Sequence, residues 1–272
     1  MGILSESKIK LLILPHLSVG KRGFKSKVCL VKVLQLIFKR MKTGCQWREL
    51  SIKEYFVSET VSWQTIYYYF HKWSVDGSFK KVWIALLQAN KCHLDLSSVQ
   101  LDGSHTPCKR GGIAVGYQGR KSCNTSNSLF LCDNNGQMLA VASPQSGQHN
   151  DLFNINDQFI ELLQLLESAT ISHDGIFLNT DPGFDSEELA ALCYEKGIEL
   201  NVKPNKRNEK YSNMDYRYFD EELYKRRTKI EHANAWIDAF KALLVRYEKK
   251  AETWLALQWM AFITMFAKKL KV

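Results

Sequence analysis

The order in which strand-like and helix-like patterns follow one another after residue 97 is the strongest constraint on the fold. Five short apolar runs are typical of β-strands: 99–103, 128–132, 138–142, 175–180 and 198–202. Three longer stretches have the apolar spacing or the end signals of helices: 151–166, 185–197 and 221–247. Along the chain the elements are three strands, a helix, a strand, a helix, a strand and a helix. Strands that alternate with helices in this way predict a mixed central sheet covered by helices.

This chain order is that of an RNase-H-like fold. We therefore predict an α/β domain over residues 96–272, with an RNase-H-like mixed five-stranded sheet flanked by helices. Asn135-Gly136, between the second and third strands, predicts a hairpin with a type I′ turn, because that turn needs positive φ at both central positions. Residues 1–95 have helical spacing instead, for example over 27–41, and predict a small all-α domain ahead of the sheet.

The positive charge is concentrated at the start of the chain. The 272 residues have a formal net charge of +9. Residues 1–50 hold eleven Lys and Arg against two Glu, so residues 51–272 are neutral as a group. A dense basic segment neutralises phosphates and releases counterions, which favours a nucleic acid as the partner. A solvated basic surface is the alternative. We predict that residues 1–95 are a helical, basic DNA-binding domain.

The aromatic stretch 60–73 predicts the last helix of that domain. Two short helical stretches followed by such a helix resemble a helix-turn-helix, whose last helix enters the major groove of DNA. Gln64, Tyr68 and Lys72 are the candidates for facing DNA on this helix. The alternative is a small helical bundle in which the aromatic side chains only form a core.

Three acidic residues predict the chemistry. Asp102 ends the first strand of the sheet, Asp181 ends the fourth, and Glu231 lies on the last long helix. Phosphodiester cleavage without a covalent intermediate commonly uses two divalent ions, and Mg²⁺ prefers oxygen ligands such as carboxylates. The sequence thus predicts that these three carboxylates bind two Mg²⁺ ions, with Mn²⁺ as a substitute, and form the catalytic site.

Each of these acids also has a structural interpretation. Asp102 and Asp181 both stand in sequences with good turn chemistry, and either Asn150 or Asp151, ahead of the next helix, reads as a helix cap. On the last helix, Tyr224 and Arg227 share the face of Glu231, opposite an apolar stripe. Arg227 either orients Glu231 or contacts phosphate; the alternative is an ordinary i,i+4 surface ion pair.

A glycine-rich basic segment follows the first acid. Lys109 and Arg110 precede Gly111-Gly112, and Arg120 and Lys121 follow Gly119. Glycine lets a backbone approach a phosphate closely, and the paired bases supply positive charge. These four basic residues are therefore candidates for DNA binding, together with Tyr224 and Arg227. A solvated surface loop is the alternative.

Taken together, these motifs resemble bacterial insertion-sequence transposases of the DDE type, in the grouping of insertion-sequence families four and five. The matching stretches are 44–50, 65–73, 76–79, 101–105, 111–112, 119–121, 147–151 and 180–186. On the last helix, Tyr224, Arg227 and Glu231 match the family's Tyr-x2-Arg-x3-Glu signature. The signature usually ends with a basic residue seven positions after the glutamate, where this chain has Asp238.

The resemblance implies a DNA transposase with an RNase-H-like core. It implies binding to the terminal inverted repeats of the element, metal-dependent strand cleavage and strand transfer, and a homodimer on paired DNA ends. Two alternatives stay open: a catalytically inactive, transposase-derived DNA-binding protein, and another RNase-H-like nuclease. Seven cysteines without C-x-x-C spacing, and no apolar run of about 20 residues, favour a cytoplasmic protein that joins the nucleoid when bound to DNA and has no membrane partner.

Overall fold

The computed structural model describes residues 3–20, 27–205 and 218–271. They form two compact units. The helical unit comprises Met1–Leu86, Cys108–Ile113 and Ile237–Val272, and the sheet unit comprises Leu87–Pro107 and Ala114–Trp236. Three lysines and arginines of the basic segment lie outside the described residues: Lys21, Arg22 and Lys25.

The N-terminal region is helical, as predicted. Its α-helices are α1 (Glu6–Lys8), α2 (Leu30–Thr43), α3 (Trp63–Val75) and α4 (Ser78–Ala89). Helical turns at Ile9–Ile13, Leu14–His16, Trp47–Glu49 and Ile52–Glu54 connect them. Helix α2 ends at Gly44, whose φ of +69° gives the left-handed conformation that commonly closes a helix.

The sheet contains all five predicted strands and two short additional ones. The strands are β1 (Val99–Pro107), β2 (Gly116–Gln118), β3 (Cys123–Asp133), β4 (Met138–Val141), β5 (Gln145–Ser146), β6 (Phe177–Thr180) and β7 (Glu199–Val202). Their order is β2-β3-β1-β6-β7, and β4 and β5 also pair with β3. β3 is antiparallel to all its partners, whereas β1, β6 and β7 are parallel to one another. The sheet is therefore mixed, with its parallel strands at one side.

The hairpin between β3 and β4 forms at the predicted place but not with the predicted turn. The Gly136 N–H donates to the Asp133 carbonyl at 3.0 Å, and φ is positive at Gly136 alone. The Asp133 carboxylate accepts from the backbone N–H groups of Asn135 and Gln137 at 2.9 and 2.7 Å. This side chain stabilises a three-residue loop with glycine at the left-handed position in place of a type I′ turn.

Four helices follow the strands of the sheet unit. They are α5 (Ile155–Ser168), α6 (Glu187–Glu195), α7 (Glu221–Lys225) and α8 (Thr228–Asp238). Helix α5 packs on β3 and β4, and α7 packs on β6 and β7. The prediction of one continuous helix over 221–247 was wrong, because a turn at Arg226-Arg227 interrupts the α-helix and the chain leaves the helical conformation at Phe240, whose ψ is +102°.

The C-terminal part of the chain returns to the helical unit. It forms α9 (Lys241–Leu244) and α10 (Ala251–Lys269). Helix α10 packs on α3 and α2, and Trp83 of α4 lies 5.6 and 5.7 Å from the rings of Phe262 and Phe266. A search of the described helices found none with the length and apolar character needed to cross a membrane.

Candidate active site

Asp102 and Asp181 lie side by side on neighbouring parallel strands. β1 pairs with β6 in a register that aligns Val99 with Leu178 and Gln100 with Asn179. The same register, continued by two residues, aligns Asp102 with Asp181. Asp181 directly follows β6, and its Oδ1 accepts from the Gly183 N–H at 2.7 Å at the start of a short helical turn. The sheet therefore brings the first two predicted acids together.

The surroundings of Asp102 oppose its ionisation. Burial raises the pKa of this carboxyl to about 7, from an ordinary value of 3.8. The positive charge of Arg227 lowers the pKa, whereas the negative charges of Asp181 and Asp151 raise it further. Half-buried carboxylates that repel one another are stabilised by a cation between them. The pair thus has the charge and the oxygen donors that a divalent cation prefers.

Glu231, the third predicted acid, lies on helix α8, which contacts Asp102 through another side chain. Asn234 Nδ2 lies 3.5 Å from Asp102 Oδ2, and the charge of Arg227 acts on the same carboxyl. Glu231 and Asn234 are three positions apart on α8 and share one side of that helix, and Arg227, just before α8, is ion-paired with Glu231. Glu231 therefore lies on the side of α8 that contacts Asp102 through Asn234.

The carboxylate of Glu231 is paired with arginine. Arg227 Nη2 lies 2.8 Å from Glu231 Oε1, and the Glu231 side chain is 56% exposed. Across the described residues, no group of three or more His, Cys, Asp or Glu side chains is close enough to hold a metal ion. Asp102 and Asp181 are on neighbouring strands, whereas Glu231 is ion-paired with Arg227 and belongs to no metal-binding group among the described residues.

Two polar residues near this site were missed or misread. Asn234 follows Glu231 by three positions, so the helical spacing that selected Glu231 would also have found it. Asp151 was interpreted as a helix cap, but α5 begins only at Ile155. Asp151 Oδ1 instead accepts from Asn127 Nδ2 at 2.7 Å, and a Cβ added to Gly103 would come within 2.1 Å of that oxygen. Gly103 is thus the residue that lets Asp151 approach β1.

The basic residues after β2 contact the strand that carries Asp102. Lys121 Nζ donates to the His105 carbonyl at 2.6 Å. Burial lowers the pKa of His105, and the positive charges of Lys121 and Arg120 lower it further while Asp151 opposes them. Both basic residues are exposed beyond the end of β1.

The other predicted DNA-contacting residues differ in exposure. Lys109 and Arg110 are exposed and belong to the helical unit. On α3, Gln64 is exposed, whereas Lys72 is half-buried and donates to the Ser18 carbonyl at 3.3 Å. Tyr224 is half-buried, with its ring 5.2 Å from that of Phe219.

Two protein-family models match the chain. The model described as "DDE superfamily endonuclease" matches residues 101–266, and the model described as "Putative transposase of IS4/5 family" matches residues 8–83. The first covers more than half of the chain and contains all three predicted acids. No curated protein matches the sequence.

Solved transposase structures are similar to the chain at low sequence identity. A piggyBac transposase synaptic complex with hairpin DNA is 12% identical, with a TM-score of 0.47, over 91% of this chain and 68% of that one. A Mos1 transposase paired-end complex with the left transposon end is 12% identical, with a TM-score of 0.30, over 93% of this chain and 84% of that one. From the two family models, the chain belongs to the DDE superfamily of endonucleases and is a transposase of that type.

Proposed function

We propose that this transposase binds the terminal inverted repeats of an insertion sequence and catalyses metal-dependent DNA cleavage and strand transfer with Asp102, Asp181 and Glu231. One observation carries the proposal: the register of β1 and β6 aligns the two aspartates, and the helix face that acts on Asp102 also bears Glu231. We infer that Asp102, Asp181 and Glu231, which lie on three separate elements, form one site in the sheet unit.

The residues present fit divalent metal ions. Asp102 and Asp181 supply oxygen donors, and their mutual repulsion is the condition that a cation relieves. We assign Mg²⁺ to these two carboxylates, with Mn²⁺ as a substitute, and Glu231 as the third ligand once its bond to Arg227 opens. Two such ions, when bound, activate the attacking oxygen and stabilise the leaving oxygen of the phosphodiester.

The neighbouring side chains orient the acids and hold the DNA backbone. Asn234 donates to Asp102 and restricts its rotation. Arg227 keeps Glu231 in place until metal or phosphate competes for one partner of the pair. Arg120 and Lys121 are exposed beyond the end of β1, where their charges attract phosphates.

We assign the remaining DNA contacts to the predicted residues of both units. Gln64 and Lys72 on α3, and Lys109 and Arg110 in the helical unit, serve to bind the element ends. Duplex DNA, from the element ends and from the target, is the partner. A homodimer on two paired ends follows from the need to join both ends of one element.

The experiment measures cleavage and binding separately on a duplex that carries the repeat flanking the gene. Asp102→Asn, Asp181→Asn and Glu231→Gln should each lower cleavage by at least a thousandfold while the Kd for DNA changes less than threefold. The matched control is Glu222→Gln, because Glu222 is also exposed and ion-paired, to Lys225 at 2.5 Å, but lies away from Asp102. It should cut like the wild type.

Three outcomes contradict the assignment. Undiminished cleavage by any one variant removes that residue from the site. A wild-type protein that binds the repeat but cuts no DNA with Mg²⁺ or Mn²⁺ is a DNA-binding protein only. Equal cleavage of the repeat and of unrelated DNA indicates a general nuclease of the same fold.

A further inference from the structure

Three buried amide side chains form a continuous row across the parallel strands. Gln100 of β1, Asn179 of β6 and Asn201 of β7 are aligned by the strand register. Asn179 Nδ2 donates to Gln100 Oε1 at 2.8 Å, and Asn201 Nδ2 donates to Asn179 Oδ1 at 2.8 Å. Their exposed fractions are 0%, 0% and 2%. We call this row the amide ladder.

The amide ladder also binds the backbone at the start of α7. Asn179 Nδ2 donates to the Leu223 carbonyl at 3.0 Å. Asn201 Nδ2 donates to the Asp220 carbonyl at 2.9 Å, and Asn201 Oδ1 accepts from the Asp220 N–H at 2.8 Å. Three hydrogen bonds therefore attach residues 220–223 to the sheet through side chains of the sheet.

The amide ladder lies close to the two aspartates along their strands. Asp102 and Asp181 follow Gln100 and Asn179 by two positions, so they stand on the same face of the sheet, about 7 Å further along each strand. On the helical side, Arg227 follows Leu223 by four positions, in the turn that joins α7 to α8. The amide ladder is thus a common base for the two aspartates and for the segment that leads to Glu231.

Stability alone does not explain this row. A buried hydrogen bond contributes only about 1 kcal/mol net, and apolar side chains of the same shape are often equally stable in such a position. Each amide of the ladder, by contrast, has partners that fix its direction, and a fully satisfied buried network specifies one arrangement of the elements that it joins. A leucine row would bury α7 without fixing its position along the strands.

We propose that Asn179 and Asn201 are positioning residues that fix α7, and through it Arg227 and Glu231, relative to the strands that carry Asp102 and Asp181. The proposal rests on the proposed function in one respect, the assignment of Glu231 as a metal ligand. The amides touch neither metal nor DNA; they act through the backbone of residues 220–223.

The first test is hydrogen–deuterium exchange of the full-length protein without metal or DNA. Asn179→Leu preserves the shape of the side chain but removes its bonds to Gln100, Asn201 and Leu223. Exchange over residues 219–235 should become at least tenfold faster, whereas exchange in β3 and β4 stays unchanged. Unchanged exchange over 219–235, or a uniform increase throughout the sheet unit, overturns the proposal.

Two controls separate the anchoring from a general loss of packing. Thr180→Val changes the next residue of β6, which is also fully buried and whose hydroxyl has no hydrogen-bond partner among the described residues. Gln100→Met removes one bond of the amide ladder but keeps all three bonds to α7. Neither should change exchange over 219–235. If Asn179→Leu does not fold, Asn201→Leu replaces it, because it removes only the contacts to Asn179 and Asp220.

The second test measures Mn²⁺ affinity by calorimetric titration of the same full-length proteins. Loss of a residue that orients a metal ligand typically weakens metal binding 10- to 100-fold. We expect Asn179→Leu and Glu231→Gln each to raise the Kd for Mn²⁺ about tenfold, and the double variant also about tenfold. An additive, hundredfold loss in the double variant overturns the proposal, because the two residues then act independently.

The two tests distinguish an error in the role of the amide ladder from an error in the proposed function. If Glu231→Gln alone leaves Mn²⁺ affinity and cleavage unchanged, the proposed role of Glu231 is wrong, and the exchange experiment still decides whether the amide ladder anchors α7. If exchange over 219–235 is insensitive to Asn179 while Glu231→Gln abolishes cleavage, the proposed function stands and the amide ladder has no positioning role.

Discussion

At the scale of single residues, burial and the nearby carboxylates of Asp181 and Asp151 make the ionisation of Asp102 costly. The unfolded chain loses the proton of this carboxyl near pH 3.8, whereas the folded chain keeps it up to a pKa of about 7. Between those values the unfolded state binds fewer protons, so stability falls as pH rises through this window. Above pH 7 the full cost is present, and below pH 4 it vanishes.

Asp102→Asn should therefore stabilise the metal-free protein at pH 8 but not at pH 4. The pKa difference sets an upper limit of about 4 kcal/mol, and the remaining solvent contact of Asp102 lowers the expected gain to roughly 1–3 kcal/mol. Thermal unfolding in EDTA at the two pH values measures it. Asp157→Asn, at an exposed position of α5, is the control. Equal stability of Asp102→Asn and wild type at pH 8 would show that the carboxylate ionises there without cost.

Glycine at position 103 shows why Asp151 was misread from the sequence. The pattern around residue 151 fits a helix cap, and nothing local indicates a contact 48 positions earlier in the chain. The absence of a Cβ at Gly103 opens the space that the Asp151 carboxylate occupies. Such a contact depends on the tertiary approach of two segments, which local propensity does not encode.

At the scale of elements, a buried ion pair joins α2 to the segment before α10. Arg40 Nη2 lies 2.7 Å from Glu248 Oε1, and each side chain is 7% exposed. Removing one partner of a buried pair leaves an uncompensated charge, which typically costs 3–5 kcal/mol. A second pair on α2, Lys39 with Glu54 at 2.9 Å, is largely exposed and provides a comparison from the same helix.

Glu248→Gln should lower the free energy of unfolding by about 3 kcal/mol, because Arg40 stays buried without its anion. Glu54→Gln should leave the unfolding midpoint unchanged, since water solvates Lys39. Urea unfolding of the two variants and the wild type makes the comparison. Equal midpoints for all three proteins would mean that Arg40 finds solvent when Glu248 is neutral.

The strands and most helices could be predicted from the sequence, but their ends could not. The alternation of apolar runs placed all five main strands, because each run must bury one or both faces. Helix α5 begins at Ile155 instead of residue 151, since Asp151 is engaged with Asn127 and Asn154 adopts a left-handed φ of +51°. The sequence also carried no sign of the break before α8, because the side chains that hold α7 are on distant strands.

For the candidate site, the sequence predicted the three acids, but it predicted neither the strand register that aligns two of them nor the ion pair of the third. Acids at the ends of apolar runs and helix periodicity are local features, and they selected Asp102, Asp181 and Glu231. The prediction that the first strand ends at Asp102 was wrong, because β1 continues to Pro107. The parallel register that aligns the two aspartates joins strands whose aspartates are 79 positions apart in the chain. The pairing of Glu231 with Arg227 was open to two interpretations, and the structure shows the ion pair.

At the scale of the whole molecule, the chain builds its helical unit from both of its ends. Residues 1–86 and 237–272 belong to one compact unit, and the sheet unit is inserted between them. The predicted division into a DNA-binding domain at 1–95 and a catalytic domain at 96–272 stays a proposal about function. For folding, the two ends of the chain belong together, because the core around Trp83 includes Phe262 and Phe266 of α10.

A fragment of residues 1–95 should consequently not fold on its own. It lacks Phe262 and Phe266 against Trp83, and it leaves Arg40 without Glu248. We expect its far-ultraviolet circular dichroism to show no cooperative thermal transition. Joining residues 1–86 to 237–271 through a flexible linker should restore one. A cooperative transition in the 1–95 fragment itself would contradict the dependence on α10.

The position of α10 also sets the order of events during translation. At about 5–20 residues per second, roughly 10–35 s pass between synthesis of Trp83 and of its partner Phe262. During that interval the ribosome has released every strand of the sheet unit, while the aromatic faces of α3 and α4 still lack their cover. A nonsense codon between Glu231 and α10 would therefore produce a chain that contains all three acids but lacks Phe262 and Phe266 against Trp83.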